Sequence, residues 1–270
     1  TAVNYWSRHV IEFFWPIYPG VILAAGLTSL PIEIISYMNF PMTLFMLTIG
    51  YIFLIRKIEK PGNGQGQLFR PLLKILGTVW PIVLAIVLYA VLPIGLLLSV
   101  AIAILLLLIV EKPTISILKP VAGEVFSVRL FMLVFGIISF QQMLEVTNAV
   151  NSINMLSSQY GLPEALIIIL VAFSSGLLSG ILVAMVGLAF PILSGYLYQP
   201  DISLSNIFLA FLAGYVGMIF SPTHFCLILT NDFFKANLGK VYRVFSIPLI
   251  LLFLTGFLLF ILGYPWDILR

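Results

Sequence analysis

GMIFSPTHFCLILTND, residues 217–232, is an apolar stretch interrupted near its middle by a Ser-Pro-Thr-His cluster at 221–224. Pro222 lacks a backbone N–H and its ring clashes with the preceding turn, so it favours a break in a helix. A broken helix presents one N-terminus, which favours an anion, and one C-terminus, which favours a cation. Broken helices of this kind are typical of secondary transporters, whose substrate sites lie near the middle of the bilayer. The stretch therefore predicts a broken transmembrane helix over 206–234, with its site lined by Ser221, Pro222, Thr223 and His224.

The composition around this stretch is that of a membrane protein. Of 270 residues, 61% are hydrophobic and 9% are charged, whereas a soluble domain carries about 25% charged residues. Apolar runs such as 94–110 approach the ~20 residues that cross a bilayer as a helix, and the ~10-residue alternating strands of a β-barrel are absent. The sequence predicts an all-α integral membrane protein, a polytopic helical bundle whose surroundings are the lipid bilayer.

Charge and cysteine content exclude several other classes. The net charge of +3 is not interpreted as a sign of a nucleic-acid partner. In a membrane protein, basic residues indicate which loops face the cytoplasm. Cys226 is the single cysteine, which excludes an internal disulfide and any CxxC metal or redox motif. We therefore expect neither a metal site nor a cofactor.

Basic residues set the predicted topology. If every loop rich in Lys and Arg is cytoplasmic, only Arg270 of the 13 basic residues lies outside. This places the N-terminus inside and the C-terminus outside, in what we expect to be a prokaryotic cytoplasmic (inner) membrane. The predicted parts are two spans in 1–55, a cytoplasmic linker at 56–74, a scaffold hairpin at 75–110, a cytoplasmic loop at 111–129 and a transport core at 130–270, with a last span at 244–263.

The same topology predicts a re-entrant hairpin at 164–197. Both flanking loops lack Lys and Arg, so the segment enters and leaves on one face, and it is too short for two crossings of about 20 residues each. Glycine permits a sharp turn and serine hydroxyls satisfy backbone groups that leave a helix. The predicted tip is SSGLLSG, 174–180, whose candidate substrate or ion ligands are Ser174, Ser175, Gly176, Ser179 and Gly180. The alternative is that these residues cap helices and permit close packing.

A second Pro/Gly interruption, WPIYPG, contains Pro16, Pro19 and Gly20. By charge, this first span runs in the direction opposite to 206–234, as an inverted repeat requires. Pro19 and Gly20 are therefore candidate site residues.

Other polar residues have two interpretations each. Glu145 shares a helical face with Gln141 and Asn148. Because a carboxylate within the membrane indicates function, Glu145 and Asn148 are candidate site or coupling residues. The alternative is that Glu145 lies at the membrane interface. His224 is a proton carrier or a hydrogen-bonded interior residue. Glu12 is interpreted as the i, i+4 partner of Arg8.

The hairpin ending in AFP (189–191), followed by SPTHFCLILTNDFF (221–234) and a final span, resembles the C-terminal half of the ion transporter superfamily of dicarboxylate, citrate, gluconate and arsenite carriers. Within it, residues 4–24 and 221–231 resemble most closely the integral membrane family called domain of unknown function 401. The tip SSGLLSG lacks the Asn of the carboxylate carriers, so their sodium site is not carried over. The resemblance also implies an earlier part with a first hairpin, which we expect as a separate N-terminal part of the same protein.

These features together predict a secondary active transporter that is not an enzyme and has no catalytic residues. The expected solute is a small organic anion, the coupling ion is H⁺ or Na⁺, and the resemblance implies a homodimer formed through 75–110. The alternatives are an intramembrane enzyme using Ser174 and His224, or a channel or non-transporting membrane scaffold.

Overall fold

The computed structural model describes residues 1–56, 69–92, 94–125, 128–148, 152, 155, 159–198 and 200–266, and these residues form helices and turns with no strand. Most of the predicted linker at 56–74 lies outside the described residues, as do Pro93 and the C-terminal Arg270. Three helical stretches in the described part are long and apolar enough to cross a membrane: Ile32–Ile55, Leu204–Phe234 and Leu238–Ile261.

The N-terminal region contains three helices. Helix α1 is Ala2–His9, continued by a 3-10 turn at Val10–Phe13. Helix α2 begins with Pro19 and spans Pro19–Thr28, because proline is favoured at the first helical position, where its missing N–H has no partner to lose. The first predicted span is therefore interrupted at WPIYPG, residues 15–20. Helix α3, Ile32–Gly50, continues as a π-helical turn over Tyr51–Ile55.

Residues 59–131 form a separate compact unit. Its helices are α4, Phe69–Val91, and α5, Gly95–Glu111, which pack against each other, followed by α6, Ile115–Val125. Helix α7, Val128–Val146, follows.

The C-terminal region carries the two interruptions that position the site. Helix α8, Glu164–Ser179, ends at Gly180, and α9, Leu182–Ile192, begins two residues later and leads to the short α10, Ser194–Leu197. Helix α11, Leu204–Phe220, stops at Ser221, and α12, Phe225–Phe234, starts after His224. Helix α13 is Leu238–Ile261.

Helix α11 is the centre of the first unit, which contains residues 1–58 and 132–270. Its side chains from Ile207 to Ile219 are buried. Helix α8 lies directly against it, since a Cβ added at Gly176 or Gly217 would overlap the backbone of the other helix. Small residues permit this approach, which maximises packing between membrane helices.

Helix α13 has the opposite character. Its most apolar 18-residue stretch has a mean hydropathy of 2.7, yet only 28% of that stretch is buried. The corresponding stretch of Leu204–Phe234 is 78% buried. Exposed apolar surface of that extent is not tolerated in water. The outer face of α13 is therefore suited to lipid, and the three apolar helices indicate a membrane protein.

Candidate functional site

The end of α8 and the break between α11 and α12 meet. Gly180 adopts a left-handed conformation (φ 62°) and its N–H bonds to the carbonyl of Gly176 at 2.8 Å, a common way for a helix to end. A Cβ at Gly180 would lie 2.9 Å from Thr223 Oγ1 and 3.0 Å from the His224 backbone nitrogen. Glycine is therefore required twice here, for the backbone conformation and for the close approach.

Side chains of the break cap the last carbonyls of α8. Ser221 Oγ donates to the carbonyl of Leu177 at 2.6 Å, and Thr223 Oγ1 donates to that of Leu178 at 3.4 Å. His224 Nδ1 bonds to the Gly180 carbonyl at 2.6 Å. These carbonyls lie at a helix end where the helix supplies no N–H of its own. The polar cluster and the helix end thus satisfy each other across 44 residues of sequence.

Tyrosine hydroxyls satisfy the carbonyls that the break releases in α11. Tyr5 donates to the Ile219 carbonyl at 2.8 Å, and Tyr242 donates to the Phe220 carbonyl at 3.3 Å. Burial raises the pKa of the Tyr5 phenol well above its usual range, so Tyr5 remains a neutral donor. The buried backbone oxygens therefore have partners despite the interruption at Pro222.

A pair of histidines closes the inner side of the break. His9 Nε2 lies 2.8 Å from His224 Nε2, and His9 Nδ1 lies 2.6 Å from the Tyr5 carbonyl oxygen. A carbonyl only accepts, so each Nδ1 carries a proton that it donates, to Tyr5 or to Gly180. Burial lowers the pKa of His9 to about 4 although its bond to the Tyr5 carbonyl opposes this shift, so the imidazole of His9 is neutral near pH 7 with its Nε2 lone pair directed at His224.

Three further polar side chains surround the histidines. Cys226 Sγ and the two histidines offer ligand atoms that all lie within 4.8 Å of one another. Arg8 approaches Cys226, with 4.0 Å between Nη2 and Sγ. Glu12 Oε1 is 3.9 Å from His9 Nε2, and its Oε2 is buried. Glu12 therefore faces His9 rather than serving only as a partner of Arg8.

A groove lies on the other side of the break. It has a volume of about 530 Å³ and is lined by Leu177, Leu178, Phe220, Pro222, Thr223 and Tyr242. Pro222 and Thr223 are exposed toward it. The break is thus accessible from this side, in a largely apolar setting.

The structure brings together part of the predicted site. Gly180 contacts Thr223 and His224, and Ser221 lies beside them. Gly176 packs against α11, and Ser179 Oγ bonds to the Ile181 carbonyl at 3.3 Å. Ser174 is exposed and Ser175 half-buried on α8, which remains helical through most of the predicted tip, so the turn occurs at its last residue.

The remaining predicted residues lie elsewhere. Gly20 packs on the first residue of α9, since a Cβ there would lie 2.6 Å from Leu182 Cγ, and Pro19 is exposed beside it. Asn148 is exposed just after α7, with a positive φ of 56°. The Glu145 side chain lies outside the described residues.

Sequence reasoning missed His9, Tyr5 and Cys226. His9 and His224 are 215 positions apart, and no local spacing connects them. The available signal was composition: the chain contains two histidines and one cysteine, and a scarce residue type in a membrane segment invites a search for its partners.

The fold and the site define an all-helical membrane protein in which a helix end and a helix break cap each other. The chain belongs to the family described as protein of unknown function (DUF401), whose model matches residues 1–262. No curated protein and no solved structure matches the chain.

Proposed function

We propose that this protein is a secondary active transporter that works by alternating access, with its solute bound at the break between α11 and α12. The observation that carries the proposal is the direct contact of Gly180 with Thr223 and His224. Discontinuous helices that face each other deep in a bundle are the recurring substrate sites of secondary transporters. Irregular backbone at membrane depth is tolerated where it is buried in protein or lines a cavity, and Pro222 borders the groove of about 530 Å³.

The solute we propose is a small organic anion. Cys226 is in the first turn of α12, where the helix dipole favours negative charge, and the exposed Arg8 lies 4.0 Å from its sulfur. Two sources of positive potential thus converge at the start of α12. Resemblance to the carriers of dicarboxylates, citrate, gluconate and arsenite supports the same class. The coupling ion is H⁺ or Na⁺.

The proposed moving part is α8 with α9, acting as a re-entrant hairpin within the second half of an inverted repeat. Its turn at Gly180 is held to the break by side-chain bonds from Ser221, Thr223 and His224. Each of these bonds has a net value of about 1 kcal/mol, so the turn at Gly180 can part from the break during a transport cycle while the rest of α8 stays packed on α11. Homodimerisation through residues 75–110 would supply the fixed scaffold.

Side-specific cysteine labelling tests alternating access without knowledge of the solute. In a Cys226→Ser background, Thr223→Cys places one thiol at the exposed edge of the break. A membrane-impermeant thiol reagent should label it in both right-side-out and inside-out vesicles. Leu209→Cys is the matched control, because Leu209 is fully buried in α11 and should resist labelling from both sides. Labelling of Thr223→Cys from one side only would contradict alternating access.

Solute flux in proteoliposomes tests the transport class. Succinate, citrate and gluconate are the probes, with and without Na⁺ and across a pH gradient. If the protein is a carrier, it should give saturable counterflow that Thr223→Val and Ser175→Ala reduce. Ion conductance without counterflow would indicate a channel. Absence of flux for every probe, together with one-sided labelling, would indicate a scaffold.

A further inference from the structure

Both histidines of the chain and its single cysteine meet at one point in the first unit. His9 comes from the end of α1, His224 from the break and Cys226 from the first turn of α12, and their ligand atoms lie within 4.8 Å of one another. We propose that His9, His224 and Cys226 form a binding site for a transition-metal ion of the Zn²⁺ or Cu⁺ class. The site shares His224 with the proposed solute site at the break, but its test does not depend on transport.

The hydrogen bonds of the two imidazoles orient them as metal ligands. Each Nδ1–H donates to a backbone carbonyl at 2.6 Å, from His9 to Tyr5 and from His224 to Gly180. Histidines that bind metals nearly always donate their other ring N–H in this way, which fixes the tautomer and the ring orientation. Both Nε2 atoms are therefore left with lone pairs directed into the cluster.

Those two lone pairs face each other across a distance that a shared proton or a metal ion can bridge. The Nε2 atoms are 2.8 Å apart, and two neutral acceptors at this distance repel. Tetrahedral Zn²⁺ with Zn–N bonds of about 2.0–2.1 Å separates two ring nitrogens by about 3.4 Å. The rings therefore need to part by about 0.6 Å to admit the ion. His9 is the end of an eight-residue helix, and a shift of that size is small for a helix terminus.

Cys226 supplies the ligand that selects the metal. Thiolate sulfur is a soft donor that favours Zn²⁺ and Cu⁺ over Mg²⁺ or Ca²⁺, and imidazole suits both Zn²⁺ and copper. Arg8 lies 4.0 Å from this sulfur, and a thiol is deprotonated when it coordinates a metal ion. The donor set of two imidazoles and one thiolate is thus suited to a closed, soft site rather than to a hard cation.

Glu12 balances the charge of the site. Its Oε1 is 3.9 Å from His9 Nε2, and its side chain is 14% exposed. A thiolate and a carboxylate offset the charge of a divalent ion bound to two neutral imidazoles, which lowers the cost of holding that ion in a low-dielectric interior. Glu12 therefore supplies a counter-charge beside the site.

Metal binding has a structural consequence for the break. The ion would join α1 to residues on both sides of the α12 N-terminus, and the His224 ring is itself bonded to the turn that ends α8. Zn²⁺ would thus hold α1, the break and the Gly180 turn as one unit. The purified protein should melt at a higher temperature with Zn²⁺ than after chelation.

The test uses the full chain purified with an affinity tag that contains no histidine. We expect about one Zn²⁺ per chain by elemental analysis after equilibrium dialysis. Co²⁺ in place of Zn²⁺ should give the intense visible bands of a tetrahedral site and a near-ultraviolet thiolate charge-transfer band. Cys226→Ser should remove the thiolate band, His9→Ala should abolish stoichiometric binding, and Glu12→Gln should weaken binding by about 10- to 100-fold. Asp232→Asn, which changes an exposed carboxylate on the same helix, should bind like the unmodified chain.

A second measurement needs no variant. Cys226 is the single cysteine, so its alkylation by N-ethylmaleimide reports this site alone, and Zn²⁺ should slow the reaction at least about tenfold because a coordinated thiolate is a poor nucleophile. Unchanged alkylation together with sub-stoichiometric Zn²⁺ overturns the proposal. The histidine pair would then share a proton, which ¹⁵N spectra of the two imidazoles would identify.

Discussion

Gly176 of α8 lies directly against the backbone carbonyl of Gly214 in α11, since a Cβ on Gly176 would overlap that oxygen. One turn along α11, Gly217 meets the carbonyl of Phe173 in the same way. Without side chains between them, the two helices approach as closely as their main chains permit. This contact fixes the height of the α8 end relative to the break, and hence which carbonyls the Ser221 and Thr223 hydroxyls reach.

Replacing Gly176 with alanine should therefore destabilise the fold by about 3 kcal/mol or more, because the overlapping atoms belong to rigid backbone that cannot rotate away. Gly26→Ala is the matched control: Gly26 is also helical, but a Cβ there meets nothing within 4 Å, so the change should be neutral or slightly stabilising. Thermal unfolding in detergent measures the difference. Equal melting temperatures for the two variants would contradict close packing of α8 on α11.

Gly180 and Gly161 separate the two roles of the glycine at the α8 end. Both have a φ of 62°, but a Cβ at Gly180 would meet Thr223 and His224 whereas one at Gly161 meets nothing within 4 Å. Gly161→Ala should cost about 1–2 kcal/mol, the penalty of a left-handed conformation. Gly180→Ala should cost clearly more, since it also pushes the turn away from the break. Combining Thr223→Ser with Gly180→Ala tests which atoms clash, because serine lacks only the threonine methyl. The extra loss should persist in the double variant, since the atoms nearest to the added Cβ are the Thr223 hydroxyl and the His224 backbone. Recovery of stability would instead assign the clash to the methyl group.

Much of the helical organisation could be predicted from local chemistry. Pro222 predicts an interruption because it removes an N–H and adds a clash, and the structure interrupts the helix at Ser221. The sequence places the turn after α8 within 174–180, and the structure places it at the last of these residues, the left-handed Gly180. The serines before it remain helical on exposed or half-buried positions of α8. The family resemblance from residues 4–24 and 221–231 was confirmed by the match over 1–262.

The pairing of distant side chains could not be predicted in this way. Tyr5 and Ile219 are 214 positions apart, and His9 and His224 are 215 apart. Their meeting depends on how α1 packs against the break, and no periodicity or motif encodes that packing. Arg8 and Glu12, which helical spacing assigns to each other, also approach Cys226 and His9 respectively, and α1 ends between them at His9.

The Tyr5 hydroxyl should contribute to stability through a single backbone acceptor. Tyr5→Phe leaves the buried carbonyl of Ile219 without its 2.8 Å donor, and an unsatisfied buried acceptor costs about 1–3 kcal/mol. The control is Tyr37→Phe, because Tyr37 is 66% exposed on α3 and its hydroxyl can be replaced by water or headgroup contacts. We expect a lower melting temperature for the first variant and no change for the second. If the two variants melt alike, the hydroxyl of Tyr5 is not what satisfies the break.

Tyr264, just beyond the last span, should make stability depend on alkaline pH. Its hydroxyl donates to the Met38 carbonyl at 2.8 Å, and burial raises its pKa from 10.0 to about 12. The folded state therefore retains the phenolic proton at a pH where the unfolded chain has lost it. The contribution of Tyr264 is fully present below pH 10 and is lost as the pH rises through the folded pKa near 12. Tyr264→Phe should remove this part of the decline, while Tyr37→Phe should not. Absorbance at the tyrosinate band measures the ionisation of Tyr264, and the melting temperature across the same pH range measures the loss of stability. Ionisation of the Tyr264 phenol near pH 10 would contradict its buried hydrogen bond.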